Sequence, residues 1–286
     1  PAELIERVEI IRASSANRSA DAIAGTLNIV LRDGYSLDGG YLRAGGLRYD
    51  DGELKESFAG VYGTEFAGGR LLLGANLQGR YNPKQKSSLR YGDSPENNAN
   101  YKTEEFDNRE DQTDTRDGDD TSLNASYEIA FDNGSKFDIS AIWVDTDRTE
   151  DERSFEYDDP TAINNSIVEG GNLETDNANV SFIDQTNYNI NSGYELPLFG
   201  GTSKFKLGFA SFEESVYEQE VEIDTSELPM VFEEEEETVD LDDKEWSLQW
   251  QHSLFAGENK TIQFGAFVQG KERDTAVYQA EGESEQ

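Results

Sequence analysis

Carboxylates are the residues of this chain with the greatest capacity for chemistry. There are 60 Asp and Glu against 24 Lys and Arg, a formal charge of −36 over 286 residues. They cluster. Residues 82–119 carry 10 acidic and 6 basic side chains, 145–178 carry 11 and 2, and 221–245 carry 12 and 1, with the run Glu233–Glu237 as the extreme. Such density attracts cations or cationic ligands. It repels phosphates, and no basic stripe is present, so no nucleic-acid partner is expected. Asp114, Asp117, Asp119 and Asp120 are the residues that could bridge Ca²⁺, but their spacing is not that of an EF-hand loop. Carboxylate pairs suited to general acid–base work arise by chance in segments this acidic, so none stands out as catalytic. A solvated surface is the reading that the charge runs favour.

Other reactive groups are scarce. Cys is absent and His252 is the single histidine. That argues against thiolate or His-rich metal sites and against a Ser–His or Cys–His nucleophile. No enzyme activity, metal or cofactor is expected. His252 falls in the apolar register of Trp246, Leu248, Trp250 and Leu254. An amphipathic side chain at a membrane interface would sit this way. Trp143 and Trp246 likewise suit an interfacial aromatic girdle.

The elements that would position these groups are strands. Leu71, Leu73, Ala75 and Leu77 alternate with small or polar residues, as do Leu123, Ala125, Tyr127, Ile129 and Phe131. The pattern returns at Phe137–Trp143, Phe205–Phe209, Trp246–Trp250 and Ile262–Val268. Successive side chains of a strand point to opposite faces, so each strand has one apolar and one wet face. The alternation predicts about nine strands, at 35–48, 53–65, 69–81, 120–131, 135–148, 179–195, 202–217, 243–256 and 260–274. Tight turns rich in Gly, Asn and Asp are expected at 66–69, 132–135, 197–202 and 256–259. The polar segments 82–119, 145–178 and 221–245 are expected as long loops, all on the other side, where the first connection, near Tyr49–Gly52, is itself short. No apolar run reaches the roughly 18 residues of a membrane-spanning helix. Short turns on one rim and long loops on the other are the pattern of an outer-membrane β-barrel. A soluble β-sandwich also alternates, but loops longer than about 12–15 residues are uncommon in it.

Residues 1–34 differ from the rest and carry a resemblance. Ile5, Glu6, Arg7, Val8, Glu9 and Arg12, then Ala22, Ile23, Gly25, Asn28 and Ile29, resemble the end of the plug domain of TonB-dependent outer-membrane receptors, a run such as IERVEVLRGP…GAIGGVINIITK. Tyr35 then begins the first barrel strand where that family places it. Ala13 and Ala24 stand where the family usually has Gly, small residues for small ones.

The resemblance implies an all-β fold with two parts. Residues 1–34 would be the C-terminal part of a plug, and 35–286 the N-terminal part of an antiparallel transmembrane β-barrel, about nine of an expected 22 strands. The chain accordingly reads as an internal fragment of a longer protein. The implied function is import of a scarce, bulky nutrient, of the ferric-siderophore or oligosaccharide class, across the outer membrane of a Gram-negative bacterium. Energy would come from the inner-membrane TonB complex acting on a box upstream of Pro1. Arg12 would be the plug arginine that meets acidic groups on the barrel wall, whereas Gly25 and Asn28 would serve backbone geometry. Ile5, Glu6, Arg7 and Glu9 complete the motif, with the charged residues on the polar side of a plug strand. No residue is assigned to the ligand. A passive porin-like or adhesin barrel is the alternative, and the plug segment separates the two, because a porin has none.

Overall fold

The computed structural model describes residues 5–11, 26–31, 38–91, 106–158, 171–226, 229–255 and 260–285. All secondary structure among them is β. Strands β1 (Ile5–Ile11) and β2 (Thr26–Leu31) pair antiparallel as a two-stranded sheet. The remaining nine form one antiparallel sheet in sequence order: β3 (Gly39–Arg48), β4 (Leu54–Phe66), β5 (Gly69–Tyr91), β6 (Phe106–Ala130), β7 (Lys136–Asp158), β8 (Leu173–Leu198), β9 (Gly201–Asp224), β10 (Val231–Phe255) and β11 (Thr261–Glu285). Close contacts run between hydrogen-bonded neighbours, and β3 and β11 are the two edges.

The nine strands expected from alternation are therefore present, but seven of them, β5 to β11, are much longer than expected. The segments 82–119, 145–178 and 221–245 are for the most part not loops. β5 continues to Tyr91 and β6 begins at Phe106; β7 continues to Asp158 and β8 begins at Leu173; β9 continues to Asp224 and β10 begins at Val231. The β9–β10 ladder runs without a shift from Leu254↔Gly201 to Val231↔Asp224. Alternation fails to reveal these extensions because both of their faces are polar. Backbone hydrogen bonds need no apolar face, and cross-strand partners replace it: Lys84 with Asp114, Arg116 with Glu150 and Arg153 with Asp176.

The turns follow local chemistry. Tyr49-Asp50-Asp51-Gly52-Glu53 and Phe131-Asp132-Asn133-Gly134-Ser135 are the same turn built at opposite ends of the sheet. In each, the aromatic N–H donates to the last residue's carbonyl at 2.9 Å, and the Gly N–H donates back to the aromatic carbonyl, at 3.0 and 2.9 Å. In each, the central Asx side chain accepts the last residue's N–H, at 3.1 and 2.9 Å. Gly52 (φ 99°) and Gly134 (φ 81°) take the left-handed conformation that this geometry needs. The β4–β5 and β8–β9 turns use two residues with positive φ, Ala67-Gly68 (49° and 81°) and Phe199-Gly200 (48° and 74°), as a type I′ turn requires. The glycine after the second pair is needed for another reason: a Cβ on Gly201 would stand 2.0 Å from the Ser253 carbonyl oxygen.

Few apolar side chains are covered. Among the described residues, only Ala59, Val61, Leu72 and Ile183 are buried and hydrophobic, whereas thirty large apolar side chains are exposed. Fully burying one Leu or Phe is worth about 1.5–3 kcal/mol. The single layer thus leaves most of its large apolar side chains uncovered.

Ala67 offers a direct check on the turn assignment. Asn tolerates left-handed φ better than Ala, so Ala67→Asn should raise the unfolding midpoint, stabilising by up to about 1 kcal/mol. An unchanged or lower midpoint would show that φ at this position carries no strain.

Candidate functional site

Because the registers are continuous, one parity of each strand lines up across the sheet. On one face this produces successive apolar rows. One row is Tyr62–Leu73–Ala125–Ala141–Ile190–Phe209–Trp246, each residue facing the next. The next is Leu71–Tyr127–Ile139–Ser192–Leu207–Leu248–Val268. A third is Ile129–Phe137–Tyr194–Phe205–Trp250–Ala266. The opposite face at the same level is mostly polar or small, for instance Ser126–Ser140–Asn191–Gly208–Ser247–Gln269, with Leu72, Ile142 and Phe267 as apolar exceptions. Leu207 is 57% exposed and Val268 48%, so this band is open rather than packed.

Both margins of the band are aromatic or amphipathic. Trp143 and Tyr188 face each other at the end nearer the acidic extensions, with Trp246 close to that level on β10. Tyr188 also packs on Phe209, ring centroids 5.8 Å apart. At the other margin His252 faces Ser203 on β9 and Phe264 on β11. It lies in the apolar register as expected, but it is buried, and its Nδ1 is 2.7 Å from the fully buried Ser203 Oγ. The hydroxyl meets the imidazole, and Phe264 lies against the ring at 5.3 Å. The sequence marked His252 but not Ser203, which only the β9–β10 register brings to it.

Beyond the Trp143–Tyr188 row both faces turn acidic, and the sheet divides electrostatically. On β5–β7 several carboxylates meet cations, although Asp119 and Asp147 face each other: Asp114 meets Lys84 at 3.2 Å, Glu110 meets Lys86 at 3.6 Å, and Asp120 pairs with Arg80. On β9–β11 Asp243 still meets Lys271 at 3.0 Å and Arg273, but farther out the carboxylates meet one another. Glu220, Glu235 and Glu281 form one cross-strand row, and Glu222, Glu233 and Glu283 the next. A cleft of about 470 Å³ lies among them. Amides serve these carboxylates where cations do not. Asn177 Nδ2 donates to Glu220 at 2.6 Å, Asn179 Nδ2 donates to Glu218 at 2.5 Å, and Gln279 donates to Glu237. Like charges directly opposite destabilise a ladder. The strand period puts alternating members of the Glu233–Glu237 run on opposite faces, so only Glu233 and Glu235 stand in these rows.

The four aspartates considered for Ca²⁺ do not converge. Asp117 and Asp119 lie on one face of β6, Asp114 and Asp120 on the other. Asp117 is held by Lys55, and Asp120 accepts from Thr146 Oγ1 at 2.7 Å as well as pairing with Arg80. Of the motif residues, Ile5, Glu6, Arg7 and Glu9 lie on β1 and Asn28 on β2, with Glu9 opposite Asn28 and a register shift between Ile5 and Arg7. Arg12 and Gly25 fall outside the described residues, as does Tyr35.

A small polar latch ties the short β3–β4 turn to the tall strand β5. Tyr81 stacks edge-on against Tyr49 and donates its hydroxyl to Asp51 at 2.5 Å. That bond pushes Tyr81 up to about 12 and lowers Asp51 below the usual carboxylate range. For Tyr81 the folded value exceeds the unfolded one. Its contribution is therefore complete below the unfolded tyrosine value near 10 and is lost as pH rises through about 12. Asp51 contributes above its unfolded value, and that share is lost as pH falls through its lowered one.

Two measurements check this region. In an ultraviolet titration, Asp51→Asn should bring one late-ionising tyrosine back toward 10, and Tyr81→Phe should remove it; no difference would mean the latch does not form. In hydrogen exchange, raising salt should slow the amides of 218–222, 233–237 and 281–283 several-fold more than those of β5 and β6, since screening relieves repulsion there. Equal responses would count against an uncompensated ladder. No protein-family model, curated protein or solved structure matches the chain.

Proposed function

We propose that this chain is part of a TonB-dependent receptor, the end of a plug followed by the first nine strands of an outer-membrane barrel, and that the whole protein imports a scarce, bulky nutrient with energy coupled from the inner membrane. The observation that carries the membrane reading is the apolar band. It crosses the sheet on one face only, is open, and has aromatic margins, while the face behind it is rich in Asn, Ser and Gln. Lipid supplies the cover that those exposed side chains lack, and a polar interior suits a barrel lumen. Alternate ends also differ: the described connections nearest the band are tight turns, while β5–β11 extend well beyond it at the other end. The two edges, β3 and β11, call for further strands, because an unpaired edge is not tolerated in hydrocarbon. The importer reading adds to this the plug-like residues Ile5–Glu9 and Asn28, which lie on a paired β1–β2 ribbon. The acidic β9–β11 wall disfavours an anionic ligand held by that wall alone.

Leu207 separates membrane from water. At the middle of a lipid-facing band, Leu207→Arg should destabilise the full-length protein by about 2–4 kcal/mol in vesicles. On a soluble sheet the same exposed position should change stability by within about 0.5 kcal/mol, and that result would end the membrane reading. Energy coupling is tested apart from this. Nutrient uptake by cells should stop when the proton gradient is collapsed; continued uptake would identify a passive channel.

A further inference from the structure

The band face is not uniformly filled. A diagonal groove of about 940 Å³ crosses it. Small residues make the floor: Gly60 faces Ala75, and Ala125 faces Ala141 one pair lower. Trp143 and Tyr188 wall its acidic end. The volume is at the upper end of the range for small-molecule pockets, and the lining is almost wholly apolar.

What lies beyond that wall sets the chemistry of an occupant. On the same face the next residue of β7 is Asp145, and the one after it is Asp147, which faces Asp119 on β6 and Asp184 on β8. Facing Cα atoms are about 4.5–5.5 Å apart, so these three carboxylates form one close row. All three are exposed, and among the described residues none is in an ion pair. Beside Tyr188 the same row continues through the fully buried Ser211 to Lys244, whose charge is taken up by Asp242. An apolar groove therefore ends at hydroxyl and indole donors, and then at unpaired negative charge.

We propose that the groove seats the acyl chains of a membrane lipid whose headgroup carries an ammonium, with the amine held at Asp145 and the Asp119–Asp147–Asp184 row. This rests on the membrane reading above. An ammonium offers three donors and a compact positive charge to the row. A purely anionic headgroup would bring like charge against three carboxylates at a level where water is thinning. Donors at Trp143 and Tyr188 stand where headgroup and ester oxygens end. Ammonium recognition here needs no enclosed cavity, only a groove that keeps the chains in place beneath the charge.

The test uses full-length protein in vesicles of phosphatidylethanolamine and phosphatidylglycerol, with one or the other brominated and a chelator present. Quenching of Trp143 is read as the difference from Trp143→Phe. Brominated phosphatidylethanolamine should reach half-maximal quenching at a several-fold lower mole fraction than brominated phosphatidylglycerol. D119N/D147N/D184N should abolish that preference while leaving quenching itself, and A125L/A141L, which fills the floor, should weaken quenching by both. Equal midpoints for the two lipids, or a preference that survives loss of the aspartates, would overturn the proposal and leave ordinary surrounding lipid only. Flotation is read first: protein that enters neither vesicle overturns the membrane reading, and the lipid site with it.

Discussion

Everything here depends on the backbone ladder. Nine strands exchange hydrogen bonds in registers that, through most of the sheet, do not slip. A strict period of two then decides the face of every side chain. One slip of one residue would carry Leu207, Leu248 and Val268 to the wet side and Lys206, Gln249 and Gln269 to the band. The ladder thus does what a packed core does elsewhere. It makes the two faces incompatible with exchange, although almost no apolar side chain is buried in it.

The electrostatics follow from the same ladder. β6 places Asp114 opposite Lys84 of β5 and Arg116 opposite Glu150 of β7, so that side of the sheet carries cross-strand ion pairs, although Asp119 and Asp147 face each other. β9, β10 and β11 are each acidic at the same height, and no choice of register within the three could separate their glutamates. Asn177, Asn179 and Gln279 satisfy carboxylate oxygens without cancelling charge. The cost is therefore electrostatic alone, which salt can relieve, and not a loss of hydrogen bonds.

How much of this the residues disclose depends on whether a strand has an apolar face. Leu71–Leu77 and Leu123–Phe131 announce themselves by alternation, and the nine strands expected from such runs are the nine found. Residues 82–91 and 106–119 have two polar faces, and there alternation is silent, so strand is mistaken for loop. A finer signal was present in Glu218, Glu220 and Glu222, spaced by two, but charge gives no direction to a period unless its partner strand is known. The margins tell the same story. Trp143 and His252 are conspicuous by type, whereas Ser203 and Ser211 become meaningful only through the strands beside them. The repeated aromatic-Asp-Asx-Gly turn was visible as a turn, since its Gly and Asx requirements are local.

One further consequence belongs to strand β11. Among the described residues, the outer side of its 25-residue backbone has no neighbour in the sheet. Each unmet N–H or carbonyl in hydrocarbon costs several kcal/mol, so a sheet of this kind cannot enter a bilayer one strand at a time with its rim bare. It must be completed, or capped by something else that offers a strand, before it crosses. During biogenesis that bare rim is also a template for any passing extended chain, including another copy of itself. On the membrane reading proposed above, the order of assembly, more than the strength of any contact, then decides whether the chain becomes a membrane protein or an aggregate.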